Sequence, residues 1–249
     1  MDRLEKIYSS LSRQRLLDWI YPRHCVACMS SFKTSENAWH VLCEPCAHEI
    51  VPIADPACCV CGKPFYGHVS GDQICPACVD AKPVFDKAYA LVQMRQTGRK
   101  LVHALKYRRG HYTLPDIAKI TADRPDFLER LSGTTLVPVP LHPIKQFMRG
   151  YNQSTCLAEL WAGLAPGASV AHLLTRTRHT KSQITLSKED RARNVKNAFA
   201  IRPKSAIPAE MKYVIIDDVF TTGSTVNACA AVLKKAGAVK VEVATLCHD

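Results

Sequence analysis

The sequence contains no apolar run of about eighteen residues, so it offers no helix able to span a bilayer. Its opening, Met1-Asp2-Arg3-Leu4-Glu5-Lys6, has acids in the first turn and no apolar core, unlike a secretory leader. A cytoplasmic, reducing location is therefore expected. The polar bias of a disordered chain is also missing. With 47% hydrophobic and 22% charged residues, the composition is that of a globular protein, neither disordered nor fibrous. The 249 residues leave room for one large domain or two modest ones. Two things are in excess: positive charge, +11 overall, and cysteine, twelve residues.

The charge is concentrated. Residues 98–205 carry nineteen basic and seven acidic side chains, while the flanking segments are close to neutral. A basic middle fits a polyanionic partner such as nucleic acid, or a phosphorylated substrate. A solubilising surface would look the same from composition alone. Tyr107, Tyr112, Phe147 and Tyr151, near those charges, are candidates either to stack on bases or to fill the core.

Nine of the twelve cysteines fall between residues 25 and 78, in spaced pairs. Cys25 and Cys28 are followed by Cys43 and Cys46; Cys58 and Cys61 are followed by Cys75 and Cys78. Each CxxC pair sets two thiolates on one tight turn, and two such turns can close a tetrahedral sulfur site around zinc. Eight cysteines suffice for two Zn²⁺ ions. Disulfides would need an oxidising compartment, for which no leader is read. Sequential pairing into two consecutive ribbons is the simpler arrangement; crossed pairing would interleave them. Cys59 is out of register, a spectator or an alternative ligand, and His24 is a possible substitute ligand. Cys156, Cys229 and Cys247 lie in apolar or helical contexts and read as packing residues.

The expected organisation is an amphipathic helix within residues 1–24, a cysteine-rich zinc module over 25–82, and a larger domain over 84–249. A module this small buries little core, so metal must supply much of its folding energy. Its removal is expected to unfold residues 25–80 and leave the rest folded. Beyond residue 84, strands at 84–94, 134–139, 213–216 and 239–245 alternate with helices at 98–107, 152–163 and 224–236. That alternation predicts an open α/β sheet with crossover connections.

The most informative stretch is Val214-Ile215-Ile216-Asp217-Asp218-Val219-Phe220-Thr221-Thr222-Gly223-Ser224-Thr225. A buried strand delivers two carboxylates at its C-terminal edge, where open α/β sheets bind ligands. The loop then enters a helix, whose N-terminal N–H groups and dipole suit a phosphate. Gly223 permits close backbone approach, and the hydroxyls add donors. The aspartates cannot pair with that phosphate; they suit hydroxyls or a metal-bound sugar beside it. The string is built for a sugar phosphate.

It resembles the phosphoribosyl pyrophosphate (PRPP) signature of type I phosphoribosyltransferases. That resemblance implies a mainly parallel sheet of the type I kind, with Mg²⁺ accompanying PRPP. Asp217 and Asp218 would hold the ribose hydroxyls as the catalytic pair. Thr221, Thr222, Gly223, Ser224 and Thr225 would cradle the 5′-phosphate, with Lys106 and Arg149 toward the leaving group. Three other blocks, Ala104–Gly110, Val137–His142 followed by Arg149–Gln153, and Arg176–Gln183 followed by Arg191–Phe199, narrow the match. Together with the CxxC module they resemble the ComF family, ComFC-like and GntX-like proteins. This implies a competence (natural transformation) protein that binds single-stranded DNA and hands it toward recombination, with DNA-uptake or recombination proteins as partners. Lys106, Arg108, Arg109, Arg149, Arg176, Arg178 and Lys181 are the candidate nucleic-acid contacts. Two alternatives remain: an active phosphoribosyltransferase on an unidentified acceptor, for which no base-recognition segment is legible, and a GntX-like role in sugar-acid utilisation.

Overall fold

The computed structural model describes residues 23–32, 39–67, 71–107, 110–177 and 197–249. The expected N-terminal amphipathic helix and Arg108, Arg109, Arg178 and Lys181 lie outside them.

The cysteine-rich part holds a small antiparallel pair, β1 (Arg23–His24) and β2 (Ser31–Phe32), and two short helices, α1 (Glu44–His48) and α2 (Pro76–Ala81). Each helix begins with a cysteine at its N-cap and a proline in its first turn, where the missing N–H costs nothing. The remaining elements are β3 (Lys87–Gln93), α3 (Gln96–Lys106), a 3₁₀ turn (Gly110–Thr113), α4 (Leu114–Ala122), α5 (Pro125–Leu131) and β4 (Thr135–Pro138). They continue with α6 (Pro143–Arg149), α7 (Gln153–Leu164), β5 (Ser169–Val170), β6 (Leu174–Arg176), β7 (Phe199–Ile201), β8 (Lys212–Phe220), α8 (Ser224–Lys235) and β9 (Lys240–His248).

Five strands form one sheet in the order β3-β9-β8-β4-β5, every pair parallel. This is the open α/β sheet the alternation predicts. β9 does not alternate as its valines suggest: Val241 through His248 are all buried. A central parallel strand is covered by helices on both faces, so neither face can be polar. β6 and β7 pair antiparallel apart from the sheet.

The ribbons are built into this domain. Residues 51–53 run antiparallel beside β3, with Gln93 N–H donating to the Val51 carbonyl and Ile53 N–H to the Leu91 carbonyl. Ala88 N–H donates to the Val60 carbonyl at 2.7 Å. Gly62, at φ +72°, presses so closely on β3 that an added Cβ would stand 2.8 Å from the Ala88 carbonyl oxygen. From α4, the buried Asp116 carboxylate accepts three backbone N–H groups of the first ribbon, those of His40, Val41 and Leu42, at 2.6, 2.9 and 3.0 Å. Cys58, Cys61 and Cys75 share one buried cluster with Phe85, Ala88, Phe220 and Val243.

Candidate functional site

The eight paired cysteines gather into two tetrads in sequential order: Cys25, Cys28, Cys43 and Cys46, then Cys58, Cys61, Cys75 and Cys78. Within each, all four sulfurs lie within 4.8 Å of one another. The Cys28–Cys43 and Cys61–Cys75 Sγ separations are 3.6 and 3.7 Å. Four thiolates at about 2.3 Å from a tetrahedral zinc stand about 3.8 Å apart, so both donor sets fit Zn²⁺. Backbone N–H groups of Ala27 and Cys75 point at Cys25 and Cys58 sulfurs, at 3.4 and 3.3 Å, where they would stabilise and orient metal-bound thiolates. Cys59 and His24 belong to neither tetrad. Cys156, Cys229 and Cys247 are buried, as their contexts predict.

A cavity of about 480 Å³ lies over the C-terminal edge of β8, lined among others by Lys106, Tyr107, Asp217, Asp218, Gly223 and Thr225. Asp218 is buried, and its Oδ2 stands 3.0 Å from the Lys106 ammonium at the end of α3. Burial opposes charge on Lys106, but the Asp218 carboxylate prevails and holds the amine above its ordinary value. The Asp217 Oδ1 accepts from Ser154 Oγ at 3.0 Å and from the Asp218 N–H at 2.9 Å. Burial first, and then the Asp218 charge, push the Asp217 carboxyl up to about 7. Asn152 sets Ser154 in place: its side chain caps α7 through the Ser154 N–H and donates to the Val139 carbonyl beyond β4.

After the aspartates the backbone turns sharply. Gly223, at φ +71°, is the N-cap of α8, and a Cβ there would meet the Phe220 ring at 2.7 Å. The Thr222 and Ser224 hydroxyls bond at 2.9 Å, and the Ser224 N–H turns to the Thr222 oxygen at 3.4 Å. The first-turn N–H groups of α8 have no intrahelical acceptor, which leaves an electropositive notch beside the two acids.

Some cations of the middle segment lie near the same edge, Arg149 close enough to act on Lys106 and Arg176 on Asp217. Arg149, last residue of α6, donates to Gln153 Oε1 at 3.0 Å and lies over the Tyr107 ring at 5.4 Å. Arg176, on β6, covers the Phe199 ring at 5.3 Å. Lys145 is the member that motif reading passes over. Burial, then Arg176 and Arg149, pull its amine below the ordinary lysine value. Ser154 is likewise outside the quoted blocks, one residue beyond Gln153. Of the candidate stacking rings, Tyr107 and Tyr112 are exposed and Phe147 is 90% exposed. Tyr151 is core: its hydroxyl donates to the Leu105 carbonyl and accepts the Gly110 N–H. Ile144, Phe147 and Met148, spaced three and four apart, form an exposed apolar stripe on α6 beside Lys145 and Arg149.

Comparison with known proteins agrees with this geometry. Residues 16–79 match the double zinc ribbon domain, and residues 162–249 match the phosphoribosyl transferase domain. The chain is 32% identical over 212 residues to the DNA utilization protein YhgH of Salmonella typhi, covering 83% of this chain and 90% of that one. It is 27% identical over 224 residues to competence protein F of Haemophilus influenzae, covering 88% and 94%. It is 29% identical over 119 residues to the competence protein ComFC of Streptococcus pneumoniae, covering 48% and 50%. With both ribbons, the parallel sheet and these relatives in agreement, the chain belongs to the ComF family.

Proposed function

We propose that the protein serves natural transformation in the cytoplasm, binding single-stranded DNA and aiding its passage toward recombination, and that its pocket binds Mg-PRPP. The observation that carries this reading is the convergence at one sheet edge of a paired-acid, threonine-rich loop and a cationic rim. The names of the relatives, which speak of competence and DNA utilisation, supply the biological direction.

In the pocket, Asp217 and Asp218 accept the two ribose hydroxyls, and Ser154 and Lys106 keep those carboxylates oriented until the sugar arrives. The N-terminal notch of α8, with Thr221, Thr222, Gly223, Ser224 and Thr225, holds the 5′-phosphate. Lys106 and Arg149, with Lys145 beside them, face the pyrophosphate, whose charge Mg²⁺ partly neutralises when it enters with PRPP. Should transfer occur, these same groups hold the negative charge that develops as pyrophosphate leaves C1.

DNA engages the rim. Backbone phosphates pair with Arg149, Arg176 and the basic residues 108, 109, 178 and 181, while Phe147, Tyr107 and Tyr112 offer exposed ring faces for bases. Fluorescence anisotropy with a labelled oligo(dT) tests this. Affinity should fall steeply as salt rises, and Arg108→Glu/Arg109→Glu or Phe147→Ala should weaken it several-fold with Mg-PRPP binding unchanged. A flat salt response would contradict strand binding. Pyrophosphate release by the wild type, lost in Asp217→Asn, would instead support the active-transferase reading.

A further inference from the structure

The second cysteine tetrad and the phosphate loop face each other across one cavity of about 580 Å³. Cys61, Cys75 and Cys78 line one side, and Thr221, Thr222 and Ser224 the other. The two sides are joined by rings. Phe220, last residue of β8, stacks on His248, last residue of β9, at 4.9 Å and 21°, and meets Phe85 edge-on at 6.0 Å. The strand register makes the Phe220–His248 pair unavoidable, since they are direct partners across β8 and β9. All three rings are buried.

Each end of this stack is tied down. On the loop side, the Phe220 ring occupies the space over Gly223 Cα, so the left-handed turn that starts α8 is shaped around it. On the ribbon side, His248 lines the same cavity as Cys61, Cys75 and Cys78. Phe85 follows directly from the segment that carries Cys78, and the preceding Val84 N–H donates to the Asn227 side chain of α8 at 2.7 Å. A shift of the Cys58–Cys61 turn or of α2 therefore moves the wall on which Phe220 rests, and Phe220 cannot move without Gly223.

We propose that Phe220 and His248 are positioning residues of the PRPP loop, and that through them metal held by Cys58, Cys61, Cys75 and Cys78 sets the loop's affinity for PRPP. This rests on the PRPP-binding reading above. When that tetrad is filled, its two turns are fixed and the aromatic stack holds Gly223 and the first N–H groups of α8 in phosphate-binding register. When it is empty, the turns relax, the stack loosens and the notch loses its shape. Among the described residues the first tetrad shows no such path, because Cys25 and Cys46 pack in a separate cluster with Leu91, Leu101 and Ile117.

Two measurements test this on the zinc-loaded full chain. The first is calorimetric titration of Mg-PRPP into wild type, His248→Ala and His248→Phe, with thermal melts showing that each is folded. His248→Phe keeps a ring against Phe220 and should bind within about threefold of wild type; His248→Ala should lose tenfold or more. The second is the equilibrium affinity for zinc, read by competition with a chromogenic chelator with and without Mg-PRPP, because linkage requires that PRPP tighten metal binding by the same factor by which the metal tightens PRPP binding. One of the two zinc equivalents should be held several-fold more tightly and the other with unchanged affinity. Equal tightening of both, or of neither, overturns the coupling. So does His248→Ala binding as tightly as wild type. A wild type that binds no PRPP overturns the underlying pocket reading, and the coupling with it.

Discussion

Asp217 sits where burial and the Asp218 carboxylate both resist its ionisation, while the Asp218 N–H, Lys106 and Ser154 favour it. Its carboxyl is pushed up to about 7. Only the ionised form accepts two ribose hydroxyls freely, so Mg-PRPP affinity should rise between about pH 6 and about pH 8 and then level off. An affinity flat across that range contradicts the assignment. The same shift has a cost for folding. A folded-state value above the unfolded one gives stability that is present below the unfolded value and lost as pH rises through about 7. Asp217→Asn should therefore abolish PRPP binding yet melt above wild type at about pH 8, by about 2–4 °C per kcal/mol recovered. Gly223→Ala acts oppositely. With φ at +71° and its Cβ 2.7 Å from the Phe220 ring, it should destabilise the fold by about 1–3 kcal/mol and weaken PRPP binding together. The paired acids and the glycine are legible in sequence because their meaning is local, set by neighbours along one loop. Ser154 is not, because the carboxylate it serves lies 63 residues away.

Elements follow the sequence where their burial is one-sided and depart from it where tertiary covering decides. α3 and α7 fall within two residues of the helices expected from apolar spacing, and Asn152 proves to be the cap of α7. β8 runs well past the apolar run 213–216, through both aspartates to Phe220, since its parallel partner β9 continues beside it after β4 has ended at Pro138. The link between α4 and the first ribbon has no sequence signature: Asp116 is buried and binds three amides from residues 74 to 76 positions away. Asp116→Ala strands those N–H groups. At about 1 kcal/mol or more each, it should lower unfolding free energy by about 3 kcal/mol in urea titrations. An unchanged urea midpoint would show that the clamp carries no stability.

At the scale of the whole molecule, the ribbons and the sheet are not two bodies joined by a linker. The sequence divides them at about residue 83, because cysteine spacing and strand alternation are separate signals. The structure runs residues 51–53 along β3 and places three ribbon cysteines in a core shared with Phe220 and Val243. Zinc removal should accordingly reach beyond residues 25–80, loosening β3 and lowering the main thermal transition by several degrees; an unchanged main transition in chelator would show that the sheet is indifferent to its ribbons. The joining of a double cysteine-tetrad module to a paired-acid, threonine-rich loop, with a basic rim beside it, is the arrangement from which DNA handling and PRPP binding are both inferred. The claim at its centre is that the paired-acid loop is a live PRPP site. Calorimetric titration of Mg-PRPP into wild type and into Asp217→Asn/Asp218→Asn tests it most directly. Saturable binding by the wild type that the double variant loses is the predicted result; no heat of binding to the wild type would contradict it.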